Sequence, residues 1–272
     1  MSNPKNTHLL FSLLAITILA LTTLTCGTPA EQAEIQTRAA RAGQTAVAQG
    51  KSYAETQAPK LKATAAAQLA TEVAKRLNST RKIGLDPGHG WRGDAGATYN
   101  GLKEKDVTLD IAFRTKALLE DRGFQVIMTR TGDDTEHGLE YAYQVVNQQK
   151  PNIVVSIHAN ADQSGNGSGT EACYTVGKST DADSKKLARL LTDSIVDKLQ
   201  LTNRGIFPEN SEDRCARKKY TGWTQLYIHN MNPPAAIVET AFLSNRQEAD
   251  LLKNRSQVFA QAIADAVLAY FQ

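Results

Sequence analysis

Pro151-Asn-Ile-Val-Val-Ser-Ile-His-Ala-Asn160 decides the fold. Its middle, Ile153 to Ile157, is apolar almost without a break. A strand with one wet face alternates apolar and polar residues. A strand covered on both faces does not, and such strands belong to parallel sheets sandwiched by helices. The run is too short for a buried helix, and Pro151 stops any helix arriving from upstream. The reading therefore starts from a central β-strand that ends in His158.

Working outward, the pattern alternates. Upstream, Leu139 to Gln149 reads as a helix that stops before Pro151. Before it, Ile83-Gly-Leu-Asp86 is a short strand running into a Pro-Gly-His turn. Asp106 to Asp121 follows as a helix with Val107, Ile111 and Leu118 on one stripe, and Phe124 to Thr129 as a strand after Gly123. Downstream, a glycine-rich loop at 164–169 leads to a strand at Thr170 to Val176. Ser184 to Leu199 is amphipathic, with Leu187, Leu190, Leu191, Ile195 and Leu199 on one face. Ala235 to Thr240 is a further strand and Arg255 to Phe271 a closing helix. Strands alternating with helices predict an α/β fold over residues 81–272: a single domain with a twisted, mostly parallel central sheet flanked by helices on both faces.

The first 80 residues have another character. Behind Lys5, residues 9–26 form an apolar run, and Thr28-Pro-Ala30 follows as a small-x-small pattern. This predicts export, with residues 1–30 as a cleaved signal peptide or a retained membrane anchor, or a lipid attached at Cys26. Residues 31–80 are rich in Ala, Gln, Thr, Glu and Lys and carry no heptad. They read as a solvated stalk, helical by propensity but interrupted at Gly43, Gly50 and Pro59. Of the net charge of +3, residues 1–80 supply 8 Lys+Arg against 4 Asp+Glu, and residues 81–272 carry 23 against 24. A near-neutral globular part argues against nucleic-acid binding, which needs a concentrated basic face. A lone apolar run excludes a multi-spanning transporter. Three cysteines, at 26, 173 and 215, are too few for a disulfide scaffold or a four-cysteine zinc module, though Cys173 and Cys215 could pair in an exported chain.

Polar residues at the C-terminal ends of apolar strands are candidate site residues in an open α/β sheet. His89 follows the first strand, His158 ends the central one, Glu239 ends the last, and Glu104 opens the first helix. Two imidazoles and one carboxylate suit Zn²⁺ and leave a fourth tetrahedral position for water. A second glutamate, not bound to metal, could then move the water proton. Spacing alone does not say which glutamate does which.

Leu85-Asp-Pro-Gly-His-Gly90, Glu104-Lys-Asp106, Thr129-Arg130 with Asp133, Ser156-Ile-His-Ala-Asn160 and Val238-Glu-Thr-Ala-Phe-Leu-Ser-Asn245 occur in one order. Together they resemble the zinc-dependent N-acetylmuramoyl-L-alanine amidases of amidase type 3. The resemblance implies that His89, Glu104 and His158 bind zinc and that Glu239 is catalytic. It also implies peptidoglycan as substrate, cut between N-acetylmuramic acid and L-alanine. The segment from Leu139 to Asn147 departs from the family, with tyrosine near the place of its usual arginine. Asn160, Glu171 and His229 lie close enough to the motifs to be candidates for substrate contact, and His137 reads as a surface residue. Residues 203–222 read as a charged surface loop or a lid. Other readings are a peptidase or deacetylase acting on another wall bond, although His-Glu-x-x-His is absent, or a non-catalytic wall-binding module. The sequence names no activating partner.

Overall fold

The computed structural model describes residues 28–211, 214–215 and 226–272. The apolar run 9–26 and Cys26 lie outside the described residues, as does most of the segment from 212 to 225. The chain divides into two units, residues 1–71 and 72–272.

The first unit contains most of helix α1, Pro29–Asn78. The expected breaks at Gly43, Gly50 and Pro59 do not occur, and the helix continues through all three. The surrounding Ala, Gln, Lys, Glu and Arg are strong helix formers, so isolated penalties of about 1 kcal/mol per glycine and about 3 kcal/mol for proline do not end it. Thr37, Thr45, Thr56, Thr64 and Thr71 each turn their hydroxyl back onto the carbonyl four residues earlier. Ile35, Val47, Leu61 and Leu69 are exposed. No helix among the described residues is long and apolar enough to cross a membrane.

The second unit is built on a six-stranded sheet. Its strands are β1 (Lys82–Pro87), β4 (Gln125–Met128), β5 (Ile153–Asn160), β6 (Thr170–Tyr174), β7 (Asn203–Pro208) and β8 (Ala235–Phe242), in the order β4-β1-β5-β8-β6-β7. Four pairings are parallel and one, β6 with β8, is antiparallel. A small hairpin, β2 (Thr98–Tyr99) with β3 (Leu102–Lys103), stands apart. The helices are α2 (Glu104–Asp121), α3 (Glu140–Gln149), α4 (Asp181–Leu199), α5 (Arg246–Asn254) and α6 (Ser256–Tyr270).

The side-chain alternation of a strand sorts the residues onto two faces. Leu85, Val155, Ile157, Ala172, Ala236 and Val238 point to the larger core, under α2, α4 and α6, with Ile111, Leu191, Phe259 and Ile263. Each fully buried Leu, Ile, Val or Phe among them contributes about 1.5–3 kcal/mol. Val154, Cys173, Ala235 and Ile237 point the other way, toward Trp91, Val146 of α3 and Ile228 in the 3-10 turn Tyr227–Asn230. Among the described residues this second cover is thinner, and the candidate site residues emerge on its side.

Three elements depart from the sequence reading. Asn203–Pro208 is an edge strand, not loop, paired in parallel with β6. Its residues are mostly half-buried, so they lack the alternation that marks a strand in sequence. The β2–β3 hairpin is too short to leave a pattern. Helix α5 is capped by Asn245, whose side chain accepts from the Gln247 and Glu248 backbone N–H groups at 3.0 and 3.3 Å. Glu248 turns inward instead of completing a capping box, accepting from the Gly169 and Phe242 N–H groups at 2.7 Å each.

Candidate active site

Strand β1 connects through α2 to β4 on one side, while β5 lies on its other side. The crevice where connections diverge is where open α/β sheets bind ligands. His89 lies just past β1 and His158 near the end of β5, so both flank that crevice. Glu104 reaches it from the first residue of α2.

These three side chains meet. His89 Nε2 lies 3.1 Å from Glu104 Oε2, and His158 Nδ1 lies 3.0 Å from Glu104 Oε1. The two imidazoles stand edge to face with centroids 5.0 Å apart. Glu104 is buried, and its oxygens accept the backbone N–H groups of Ala97 and Ala159, each at 3.0 Å. The carboxylate of this first helical residue is therefore aimed into the crevice. Two glycines permit the approach. A Cβ on Gly88 would lie 2.4 Å from the His158 ring, and one on Gly96 would lie 2.7 Å from both Glu104 and His89. His89 itself has φ +62°, a left-handed conformation set between glycines.

The electrostatics follow from this geometry. Burial opposes the charge on His89, but Glu104 and Asp94 outweigh it and raise its pKa to about 9. Burial also opposes ionisation of Glu104, yet hydrogen bonds and charge from His158 and His89 hold its carboxyl well below the usual range. Among the described residues, His89, Glu104 and His158 form the one group of at least three His, Cys, Asp or Glu side chains able to hold a metal ion. Their ligand atoms lie within 4.8 Å of one another. Two imidazole nitrogens and one carboxylate oxygen fit a catalytic zinc donor set.

Outer partners orient the donors. His89 Nδ1 lies 2.7 Å from Asp94 Oδ2, which leaves Nε2 facing the crevice. On the other side of His158, Nε2 lies 3.3 Å from the Tyr227 hydroxyl. That hydroxyl donates to buried Asp86 and sits 2.6 Å from Ser156 Oγ. Asp86 also accepts from Thr129 at 2.6 Å and from Ser156 at 2.7 Å. Burial and then the neighbouring Asp86 push the Tyr227 phenol well above its usual pKa, so it stays a donor. Arg130 ties the β1 turn to α2 by donating to the carbonyls of Pro87, Gly88 and Lys105 at 2.8–3.0 Å. Of these supporting residues, Asp86, Thr129, Arg130 and Ser156 lay inside the quoted motifs without a role. Asp94 and Tyr227 were missed; Tyr227 is 71 residues from Ser156, and no local pattern joins them.

Glu239 lies beside the cluster. On β8 it is the register partner of His158 on β5 and of Glu171 on β6. A cavity of about 430 Å³ opens here, lined by His89, His158, Glu239, Glu171, Tyr227 and Arg214 among others. Asn160 is buried and donates to Glu171 Oε1 at 2.9 Å; it does not line the cavity. His229 does not line it either, since its Nδ1 lies 2.6 Å from buried Glu209. His137 is exposed and stacks on Tyr141. Cys173 and Cys215 form a disulfide with Cα atoms 5.9 Å apart.

Comparison with known proteins gives a consistent result. A family model described as N-acetylmuramoyl-L-alanine amidase matches residues 83–269. The germination-specific N-acetylmuramoyl-L-alanine amidase of Bacillus subtilis is 34% identical over 210 residues, covering 71% of this chain and 81% of the relative. N-acetylmuramoyl-L-alanine amidase LytC of the same organism is 32% identical over 209 residues, covering 75% of this chain but only 39% of LytC. Among solved structures, an N-acetylmuramoyl-L-alanine amidase from Clostridium difficile 630 superposes with a TM-score of 0.59 at 28% identity, over 70% of this chain and 96% of that one.

Proposed function

This chain belongs to the N-acetylmuramoyl-L-alanine amidase family, and on that premise we propose zinc as its metal, His89, Glu104 and His158 as the ligands and Glu239 as the proton carrier. The reaction is hydrolysis of the amide that joins N-acetylmuramic acid to L-alanine in peptidoglycan. The observation that carries the assignment of roles is the placement of Glu239. It stands beside the three-donor cluster, on the neighbouring strand, at the wall of the same cavity.

When bound, zinc would lower the pKa of a water molecule to about 7 and polarise the scissile carbonyl. Glu239 takes the proton from the attacking water and then delivers it to the departing alanine nitrogen, so one carboxylate serves as base and then as acid. Asp94 holds His89 in the tautomer that presents Nε2, and Asp86 orients the Tyr227 hydroxyl beside His158.

Digestion of purified peptidoglycan by the full chain, with and without chelator, tests the reaction. Free stem peptides and intact glycan strands are expected, and only with metal. Shortened peptides or deacetylated sugars would instead assign the bond to another enzyme class. We further assign residues 1–30 to export, 31–80 to a stalk and 81–272 to catalysis. Mass spectrometry of the mature N-terminus separates a cleaved signal peptide from a retained anchor and from a lipid on Cys26.

Zinc uptake is expected to depend on pH in a definite direction. In the metal-free protein the His89 ring is protonated below about pH 9, and entering metal must displace that proton. Apparent affinity therefore rises by about tenfold per pH unit toward pH 9 and then flattens. The same raised pKa stabilises the metal-free fold fully below pH 6.5, and that contribution is lost as pH rises through about 9. Competition titrations between pH 6 and 10 read the first effect and thermal melts of the metal-free protein the second. An affinity indifferent to pH over this range would mean that His89 is already neutral in the metal-free protein.

A further inference from the structure

Glu171 and Cys173 are two residues apart on β6, so their side chains leave the sheet on the same face. It is the face of Glu239 and Ile237 on β8, their register partners. Cys173 is bonded to Cys215 across a sequence separation of 42 residues. The disulfide thereby fastens Arg214, the neighbouring residue, to the wall of the catalytic cavity. The Arg214 guanidinium lies with Nη1 3.5 Å from Glu171 Oε2 and with Cζ 5.2 Å over the Phe207 ring.

Glu171 does not depend on this contact. It is buried, accepts Arg204 Nε at 2.8 Å and accepts the Asn160 amide at 2.9 Å. Arg204 does not line the cavity, whereas Arg214, with a side chain 41% exposed, does. If Arg214 swings from Glu171 to an incoming carboxylate, Glu171 keeps one cation and one hydrogen bond. On the Glu171 side the contact is exchangeable, as a recognition contact must be. The other arginine on the cavity wall, Arg92, faces Glu140 at 3.3 Å.

The substrate supplies the anion on one side only. The lactyl carboxyl of the sugar is consumed in the amide to be cut, so the remaining carboxylates belong to the stem peptide. A planar guanidinium fork matches a carboxylate with two parallel hydrogen bonds. We propose that Arg214, positioned by the Cys173–Cys215 disulfide, recognises the α-carboxylate of the stem-peptide residue that follows alanine. The proposal rests on the amidase reading above and adds a specificity residue to it.

Two soluble muramoyl dipeptides test it: N-acetylmuramoyl-L-alanyl-D-glutamate with a free α-carboxyl, and its α-carboxamide counterpart. Wild type is expected to prefer the carboxylate by about tenfold in kcat/KM, with the difference carried by KM. R214Q brings the ratio close to one. R214K, which keeps the charge without the fork, falls between. Reduction of the disulfide, or C173S/C215S, lowers the ratio as well, because Arg214 loses its tether. A wild-type ratio of one, or an unchanged ratio in R214Q, overturns the recognition role. An unchanged ratio in the reduced enzyme overturns the positioning role of the disulfide. Failure of wild type to cut either dipeptide while it still degrades peptidoglycan to shortened peptides strikes the amidase reading instead.

Discussion

Glu239→Gln is expected to retain zinc at wild-type occupancy while hydrolysing peptidoglycan about 10²- to 10⁴-fold more slowly. The residue sits in the middle of the sheet, on β8 between β5 and β6, where strand pairing on both sides holds its backbone. It is outside the three-donor group, so the metal keeps every proposed ligand. Glutamine preserves its size but cannot accept the water proton. What is lost is proton transfer at both ends of the reaction. Elemental analysis beside a wall-hydrolysis assay measures the two quantities separately. A variant that clears cell walls at the wild-type rate would exclude Glu239 as the proton carrier, and one that loses zinc would make it a ligand.

His89→Ala should fail differently, by losing metal and activity together. Removing an outer partner of a metal ligand typically costs about 10- to 100-fold in affinity, and removing a ligand costs more. His89 is the cleaner test of the three donors. Its imidazole is partly exposed, and its loss leaves Asp94 facing solvent. Glu104→Ala would also strand the half-buried Ala97 and the buried Ala159 N–H groups that the carboxylate accepts, at about 1–3 kcal/mol for the buried donor. That substitution therefore mixes instability with metal loss. Zinc content after dialysis against a weak chelator is the decisive reading for His89→Ala. Full retention would mean that the metal sits elsewhere.

Much of this arrangement was legible in sequence for a physical reason. A strand buried on both faces has a composition that little else shares, so Ile153–Ile157 located the sheet, and the polar residues at its end located the crevice. The proposed ligands stand at such ends and beside the glycines that admit them. What supports them was not legible. The contacts from Tyr227 to Asp86, Ser156 and His158 join residues 69 to 141 positions apart, and only the folded sheet brings them together. The disulfide needed a Cα separation that no spacing provides. Strand β7 lies at an edge and is mostly half-buried, so neither alternation nor a continuous apolar run betrays it. Helix α1 shows the opposite error. Single glycines and a proline were read as stops, although the residues around them favour helix over the whole segment.

The strand order also sets a timetable. The three proposed metal donors are all present once residue 158 has been made, but β8 is the last of the described strands and occupies a place inside the sheet, between β5 and β6. Until residues 235–242 arrive, β5 lacks its neighbour on that side, β6 and β7 have nothing to join, and the proposed proton carrier does not exist. Domains fold as units once their chain is available. A molecule that stops short of residue 235 therefore has neither the six-stranded sheet nor Glu239. The proposed proton carrier is thus the last part of the site to be made.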